Sequence, residues 1–537
     1  MGIYLNPGNR GFQMSLNSKI YVDKSGLISY TNSVIDTEQR FVCVSRPRRF
    51  GKSVTAQMLA SYYGKGCDSG GQFEHLSIAG DETYRKHLNQ YHVIFLNIQQ
   101  FLSQSESAAV CRERLEKALL WELLEEFPDL NYFDRSSLIS VLQTISASLS
   151  TGFVFIIDEW DCMFREYKND AGAQKIYLDF MRSLFKDRSY VALAYMTGIL
   201  PVKKYGTHSA LNMFDEFSMA DQKMLEEYTG FTQEEVKKLC EQYEMDFEEA
   251  GSWYDGYAFR GFCHICNPRS VVEAMRCRRF SSYWASTETY EALKIYIDMD
   301  FDGLREAIGQ MLGGGRIRVN TNSFQNDMEN FKTRDDVLTL FIHLGYLGYD
   351  CEKKEVFIPN QEIFGEFENA MSVGGWPEVM RILKASEKLL EDTLLGDEKS
   401  VAEGLDLAHM EAASILAYND ENSLACAIGL AYYSARKDYR LIRELPSGRG
   451  FADIVFLPLP ASGKPALVVE LKYDKTSESA IQQIKDRQYT KVLEGYAGEI
   501  LLVGINYDKN KKEKPHSCRI EKWKSGGQHE ENTCRRR

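Results

Sequence analysis

Three groups of residues in this chain could do chemistry. The first is Arg46-Pro47-Arg48-Arg49-Phe50-Gly51-Lys52-Ser53, entered from the apolar run at residues 41–44. A short strand, a basic turn and Gly-Lys-Ser opening a helix suit the binding of phosphate. A helix N-terminus offers unpaired N–H groups and the positive end of its dipole. There Gly51 would let the backbone approach, Lys52 would neutralise outer phosphates, and the Ser53 hydroxyl would hold Mg²⁺. The usual form of this loop begins with Gly at the position that Arg46 fills.

The second group ends the apolar run at residues 153–157, where Asp158-Glu159 follows directly. Acidic residues at the carboxyl end of a buried strand stand beside such a loop. Asp158 would orient water on Mg²⁺, and Glu159 would polarise the attacking water. Asp161 either joins them or caps the next helix. Thr197, at the end of the run at 190–196, is either a sensor of the outermost phosphate or part of a turn. The third group is Asp453 with Glu470 and Lys472. Glu470 and Lys472 lie two apart on one strand, so both face one side of a sheet. Two carboxylates from adjacent strands can hold Mg²⁺ and a nearby Lys can activate water, which is equipment for phosphodiester hydrolysis. From spacing alone, a surface Glu–Lys pair accounts for them equally well.

Apolar runs must alternate with helices to position the first two groups. Strands are expected at residues 41–44, 92–98, 153–157 and 190–196, and helices at 53–63, 108–127, 136–149 and 173–186. Alternation of this kind predicts a parallel sheet with right-handed crossovers. The alternating piece Ile20-Tyr21-Val22-Asp23-Lys24 reads as an edge strand or as a leader packed near a base. Helical patterns dominate residues 216–360. The C-terminal pattern is a helix at 421–435, strands at 452–457 and 466–471, a helix at 479–493 and a strand at 499–503. The expected domains are a nucleotide-binding sheet at 1–215, a helical lid and module at 216–360, a helical connector at 361–410, a second α/β domain at 411–520 and a tail at 521–537.

A chain of 537 residues is too long for one ordinary domain, and about three or four units are expected. No apolar run is long enough to span a membrane. Residues 1–6 carry no basic region before an apolar core, so no signal peptide is expected. Gly2 is discounted as a lipidation site because Asn6 stands where Ser or Thr is wanted. Twelve cysteines lack framework spacing, and Cys263-His264-Ile265-Cys266 has no second pair, so reduced thiols in the cytoplasm are expected. The net charge of −13 argues against non-specific coating of nucleic acid, though not against a local basic groove.

The motifs together carry a resemblance. Tyr21-Val22-Asp23-Lys24, the loop from Arg46 to Ser53, Ile157-Asp158-Glu159-Trp160-Asp161 and Thr197-Gly198-Ile199 resemble the AAA-ATPase-like family, in which Arg at the first loop position is a family trait. Asp453, Glu470-Leu471-Lys472, Glu421 and Gln483 resemble the PD-(D/E)xK nuclease superfamily, in the branch fused behind that ATPase. Ala452 replaces the Pro that commonly precedes the first Asp, and Cys266 replaces the Tyr of the lid motif Tyr-Asn-Pro-x-Ser.

The resemblance implies a P-loop parallel sheet with a helical lid plus a restriction-endonuclease-like α/β domain. It implies ATP and Mg²⁺ as cofactors, with Arg46, Arg49, Gly51, Lys52, Ser53, Asp158 and Thr197 at the nucleotide and Tyr21, Asp23 and Lys24 near it. It implies Asp453 and Glu470 at a second metal, with Lys472, Glu421 and Gln483 assisting. The expected protein is a cytoplasmic, bacterial ATPase with an endo- or exodeoxyribonuclease-like domain acting on DNA, open to homo-oligomer formation. The alternative is an ATP-dependent regulatory switch whose nuclease fold binds without cutting. Arg48, Arg49 and Arg165 are unranked candidates for an arginine acting in trans.

Overall fold

The computed structural model describes residues 2–149, 151–202, 211–221, 224–259, 262–284, 290–298, 302–324, 331–373, 376–412, 421–447, 450–459, 462–489, 493, 498–511 and 515–523. The chain forms two compact units, Met1–Tyr283 with Arg318–Pro359, and Trp284–Ile317 with Asn360–Arg537.

In the first unit, β1 (Phe41–Ser45), β2 (Val93–Asn97), β3 (Phe153–Asp158), β4 (Val191–Gly198) and β5 (Asp215–Phe217) form one sheet in the order β2-β3-β4-β1-β5. All its pairings are parallel. β1, β3 and β4 are buried throughout, as expected of strands covered on both faces. Side chains alternate between two layers. Val42, Val44, Val154 and Ile156 join the core with Ala56, Leu59, Tyr62 and Tyr63 of α1 (Lys52–Tyr63). Phe155 points the other way, edge-on to Phe185 with centroids 5.3 Å apart, at the end of α4 (Ala171–Phe185). Between them in sequence lie α2 (Ala108–Glu126) and α3 (Leu138–Leu149). β5 was not expected: Asp215-Glu216-Phe217 has no apolar run, and only pairing with β1 makes it a strand.

Residues 20–24 form no strand. Their alternation has another cause: Ile20 and Val22 pack on the lid core, whereas Tyr21 packs on the sheet core. The lid is not purely helical. Phe231–Thr232, Phe262–Cys266 and Tyr257–Phe259 form a small sheet beside α5 (Gln233–Tyr243), α6 (Phe247–Tyr254) and α7 (Pro268–Cys277). Such short strands leave no periodic signal. The helices start at clear caps: Thr232 and Glu235 form a capping box, Asp246 accepts from Glu249 N, and Asn267 accepts from Arg269 N with Pro268 in the first turn. Cys266 fills the lid core where the family motif has Tyr.

The second unit corrects several expectations. Residues 284–317, assigned to the lid module from sequence, pack here through α8 (Leu304–Leu312). Residues 361–410 are no mere connector. They supply α9 (Gln361–Val373), α10 (Pro377–Leu395) and α11 (Glu398–Ala412). After α12 (Glu421–Ala431) comes a sheet of β6 (Tyr439–Ser447), β7 (Gly450–Pro458), β8 (Ala466–Tyr473), β9 (Ile500–Tyr507) and β10 (His516–Trp523), in sequential order. Only β8–β9 is a parallel pair, bridged by α13 (Ser477–Asp486). The mixed polar sequences of β6 and β10 hid both strands. β10 runs past residue 520, so 521–523 are strand and not tail. α11 pins this edge strand: Asp406 accepts from His516 N at 2.9 Å and Glu398 from Ile520 N at 3.0 Å. Unpaired edge N–H groups thus find carboxylates.

α9 buries two glutamates one turn apart, Glu362 and Glu366, each 1% exposed. Glu362 accepts from Trp284 N at 2.9 Å. Burial, with Glu362 as a second cause, pushes the Glu366 carboxyl up to about 7. An acid with a raised folded pKa holds a proton that the unfolded chain has released, so stability falls as pH rises from the ordinary carboxyl value to about 7. The Glu366→Gln variant is expected to lose this decline and to gain on the order of 3 kcal/mol over the wild type at pH 8, relative to pH 4. Parallel denaturant unfolding at both pH values measures it; equal pH dependence of the two proteins would contradict it.

Candidate functional sites

Parallel register aligns the strand ends of the first unit. Asp158 pairs in register with Asn97 on one side and Thr197 on the other, and Thr197 with Val44 next to the loop. The turn between β1 and α1 curls through two left-handed residues, Arg49 at φ 71° and Gly51 at φ 86°. Gly51 precedes the first helical residue, Lys52, and a Cβ there would meet nothing within 4 Å. Lys52 is 5% exposed and its Nζ donates to the carbonyls of Arg46 and Pro47 at 3.0 and 2.8 Å. Burial lowers its pKa, opposed by Glu159, Asp161 and Asp158. Asp158 is buried and its carboxyl is raised mainly for that reason, while the Ser53 hydroxyl hydrogen-bonds to it and pulls the other way. Asn97 Nδ2 lies 3.4 Å from its Oδ2. The Thr197 hydroxyl beside it is buried with no hydrogen-bond partner among the described residues. Ser53 and Asp158 would therefore offer oxygen ligands of the kind that Mg²⁺ takes.

Glu159 sits at φ 53° and pairs with Arg165, whose Nε lies 3.2 Å from Asp161 Oδ2. Asp161 does not line the cavity, and although it stands at the N-cap of the helix Cys162–Glu166, its side chain makes no capping hydrogen bond. Fully buried, it accepts from the N–H groups of Ile199 and Leu200 at 3.1 and 2.9 Å and so fixes the exit of β4. Arg165, engaged in cis with two carboxylates, is a poor candidate for an arginine acting in trans.

A cavity of about 400 Å³ opens over the loop. Arg48, Arg49, Gly51, Lys52, Ser53 and Glu159 form one wall, and Ile20, Tyr21, Val22, Phe231 and Val272 form an apolar one. Its size and its division into charged and apolar halves suit a nucleotide. Tyr21 does line it, its hydroxyl pKa raised by burial. Lys24 lines it as well, and Asp23 does not. Asp23 accepts from Ser25 N and from Ser77 N and Oγ, and Lys24 pairs with Glu235 at 2.6 Å. Arg46 departs from expectation. It is 1% exposed, lies outside the cavity lining, and donates to Thr229 Oγ1 and the carbonyls of Ser45 and Phe217 at 2.8–3.0 Å. The side chain that replaces the usual Gly is an internal brace between β1 and β5.

In the second unit Glu470 and Lys472 share one face of β8. Glu470 is 1% exposed; its Oε1 accepts from Lys472 Nζ at 2.7 Å and from Gln483 Nε2. Its Oε2 is buried without a partner among the described residues. Asp453, on neighbouring β7, accepts from Leu471 N at 2.7 Å. Burial first, and Asp453 second, push the Glu470 carboxyl up to about 7. An orphaned buried oxygen beside a second carboxylate is what a cation would satisfy, so Asp453 and Glu470 fit Mg²⁺. Gly504 lies opposite Glu470 in register. A Cβ there would come within 2.4 Å of Ser477 O, so glycine lets α13 close on the sheet and bring Gln483 to Glu470. Glu421 begins α12, but its side chain lies outside the described residues.

Residues 12–207 match the family model described as "Predicted AAA-ATPase", and residues 419–516 match the one described as "PD-(D/E)XK nuclease superfamily". The chain joins an AAA-ATPase-like domain to a PD-(D/E)XK superfamily domain. A protein of Azotobacter chroococcum mcd 1, described as an uncharacterized protein in the vnfD 5′ region, is 23% identical over 291 residues, which are 50% of this chain and 51% of that protein. The match therefore spans about half the length of that curated relative. Among solved structures, AMPPCP-bound DnaA from Aquifex aeolicus covers 60% of this chain and 80% of its own at 9% identity and TM-score 0.23. The Aeropyrum pernix ORC2 protein covers 68% and 98% at 12% identity and TM-score 0.28. At such scores the fold rests on the strand order itself.

The first unit also holds residues that the motif reading passed over. Arg269, directly after Asn267-Pro268, lines the cavity from the lid side and pairs with Glu273 at 3.0 Å. Its place in the first turn of a capped helix was a usable signal. Asn97 ends β2 as Asp158 ends β3, and only the register shows that the two meet.

Lys52 and Arg46 should separate cleanly on substitution. Lys52→Ala is expected to lose some stability, because the Arg46 and Pro47 carbonyls lose their donor, and its folded fraction is expected not to bind a fluorescent ATP analogue in a titration. Arg46→Ala is expected to cost on the order of 3 kcal/mol of stability, because buried acceptors lose their donor at about 1–3 kcal/mol each. Nucleotide affinity of its folded fraction should stay near wild type. Loss of affinity in Arg46→Ala without loss of stability would return Arg46 to the nucleotide site.

Proposed function

We propose that this protein binds and hydrolyses ATP in its AAA-ATPase-like domain and that ATP turnover governs a Mg²⁺-dependent nuclease-like domain acting on DNA. The observation that carries this reading is that each unit has its own acid–lysine constellation at strand level. One is Asp158 and Glu159 with Lys52, and the other is Asp453 and Glu470 with Lys472. We further propose that it works in a bacterial cytoplasm; among the described residues no helix is long and apolar enough to cross a membrane.

In the first domain Lys52 and the amides of the helix N-terminus bind the phosphates. Ser53 and Asp158 hold the metal, Thr197 donates to the outermost phosphate, and Glu159, steadied by Arg165, orients the attacking water. Arg49 and Arg48 border the phosphates, and Tyr21 borders the base. In the second domain Asp453 and Glu470 hold Mg²⁺, which when bound stabilises charge on the phosphodiester. Lys472, 7% exposed and fixed to Glu470, donates a proton contact to the attacking water; Gln483 keeps Glu470 in place. In a homo-oligomer, an arginine acting in trans would be one other than Arg48 and Arg49, which line this chain's own cavity.

The test is cleavage of labelled DNA with and without Mg²⁺ and ATP, for wild type, Asp453→Ala and Glu470→Ala. The expected outcome is Mg²⁺-dependent cleavage by wild type that changes with ATP and falls to background in both variants. Undiminished cleavage in both would remove the assignment, and binding without cleavage by all three proteins would make the protein an ATP-dependent switch.

A further inference from the structure

The face of the PD-(D/E)XK domain that bears Glu470 carries an arginine outside the family motif. Arg487 follows Gln483 by one helical turn, at the C-cap of α13, with its N–H on the Gln483 carbonyl at 3.0 Å. Residues at this spacing share a helix face. Gln483 Nε2 reaches both Glu470 and the hydroxyl of Tyr489, the latter at 3.2 Å. Arg487 Nη1 donates to the same hydroxyl at 3.2 Å. Tyr489 is 1% exposed, so a buried phenol mounts an exposed guanidinium one hydrogen bond away from the residue that holds Glu470.

The charge balance here is incomplete. Among the described residues Arg487 forms no ion pair, although Glu470 and Asp453 lie within its electrostatic reach. Two other cations of β8 and α13 are engaged: Lys472 is buried on Glu470 and the Leu471 carbonyl, and Lys485 pairs with Glu521 at 2.6 Å. A phosphodiester approaching Asp453 and Glu470 meets two carboxylates and needs a cation that solvent-side atoms can reach. A guanidinium is suited to this because its fork matches phosphate oxygens.

We propose that Arg487 grips a backbone phosphate of a nucleic-acid strand lying across Asp453 and Glu470, with Tyr489 and Gln483 as its mounting. The inference rests on the nucleic-acid reading given under Proposed function. It makes Arg487 a binding residue that works without metal.

Binding of a fluorescein-labelled DNA duplex to the full chain, followed by anisotropy in EDTA over a range of salt, tests it. Arg487→Ala should weaken binding about tenfold. It should also make the log–log salt slope shallower by about 0.9, the share of one duplex phosphate. Arg487→Lys should restore the slope but not the full affinity, because an ammonium lacks the fork. Tyr489→Phe should weaken binding and keep the slope, because the charge remains while its mount is lost. Wild-type affinity and slope in Arg487→Ala would overturn the assignment and leave the nuclease reading standing. Absence of salt-dependent binding by the wild type would overturn both.

Discussion

A carboxylate buried at the end of an apolar strand costs several kcal/mol unless a cation or a fixed donor answers it. Both sites of this protein are built around that constraint. Asp158, Glu159 and Asp161 crowd four consecutive positions, and Lys52, Arg165, Ser53 and two backbone amides answer them. Glu470 is answered on one oxygen by Lys472 and Gln483, and its other oxygen has no hydrogen-bond partner among the described residues, with Asp453 nearby. That asymmetry separates a structural carboxylate from one suited to a cation. Asp161 shows the opposite case: its contacts hold backbone, and it serves the shape of the β4 exit.

The loop from Arg46 to Ser53 follows from the same constraint at larger scale. A guanidinium at position 46 would be intolerable in a dry interior without acceptors. It is accepted because β5 lies against β1 and offers the Phe217 carbonyl, and because Thr229 lies within reach. Burial lowers its pKa to about 10, with Glu226 opposing. The loop thus gains a fixed base where a Gly would leave space, and the left-handed backbone at Arg49 and Gly51 completes the turn. Asp23 and Lys24 work in the same structural way, tying the leader to Ser77 and to α5 so that Tyr21 stands at the cavity.

Much of the fold was legible because long buried strands announce themselves. The runs that became β1, β3, β4 and β8 are apolar almost throughout and differ from expectation by a residue or two at their ends, and β9 runs four residues beyond its expected end. The elements that escaped notice are those that tertiary contacts create. β5 is acidic, β6 and β10 alternate with charges, and the lid strands are too short to show a period. Motif spacing pointed to Lys52, Ser53 and Glu159, which line one cavity, and to Asp453, Glu470 and Lys472, which stand on adjacent strands. It could not say that Arg46 turns inward, because the same basic side chain serves equally well against phosphate or against backbone carbonyls.

By itself, the sequence determined which residues could carry charge to a phosphate or a metal, and on which local element each would stand. Spacing along one strand or one helix turn settles that, since backbone geometry is fixed over a few residues. Only the tertiary structure decided the partners. Arg46 meets Phe217 and Thr229, Lys24 meets Glu235, Asp158 aligns with Asn97, and Glu398 meets Ile520, all across long stretches of chain. A charge's role depends on what faces it after folding, and strand register and helix docking set that over distances that no local pattern encodes.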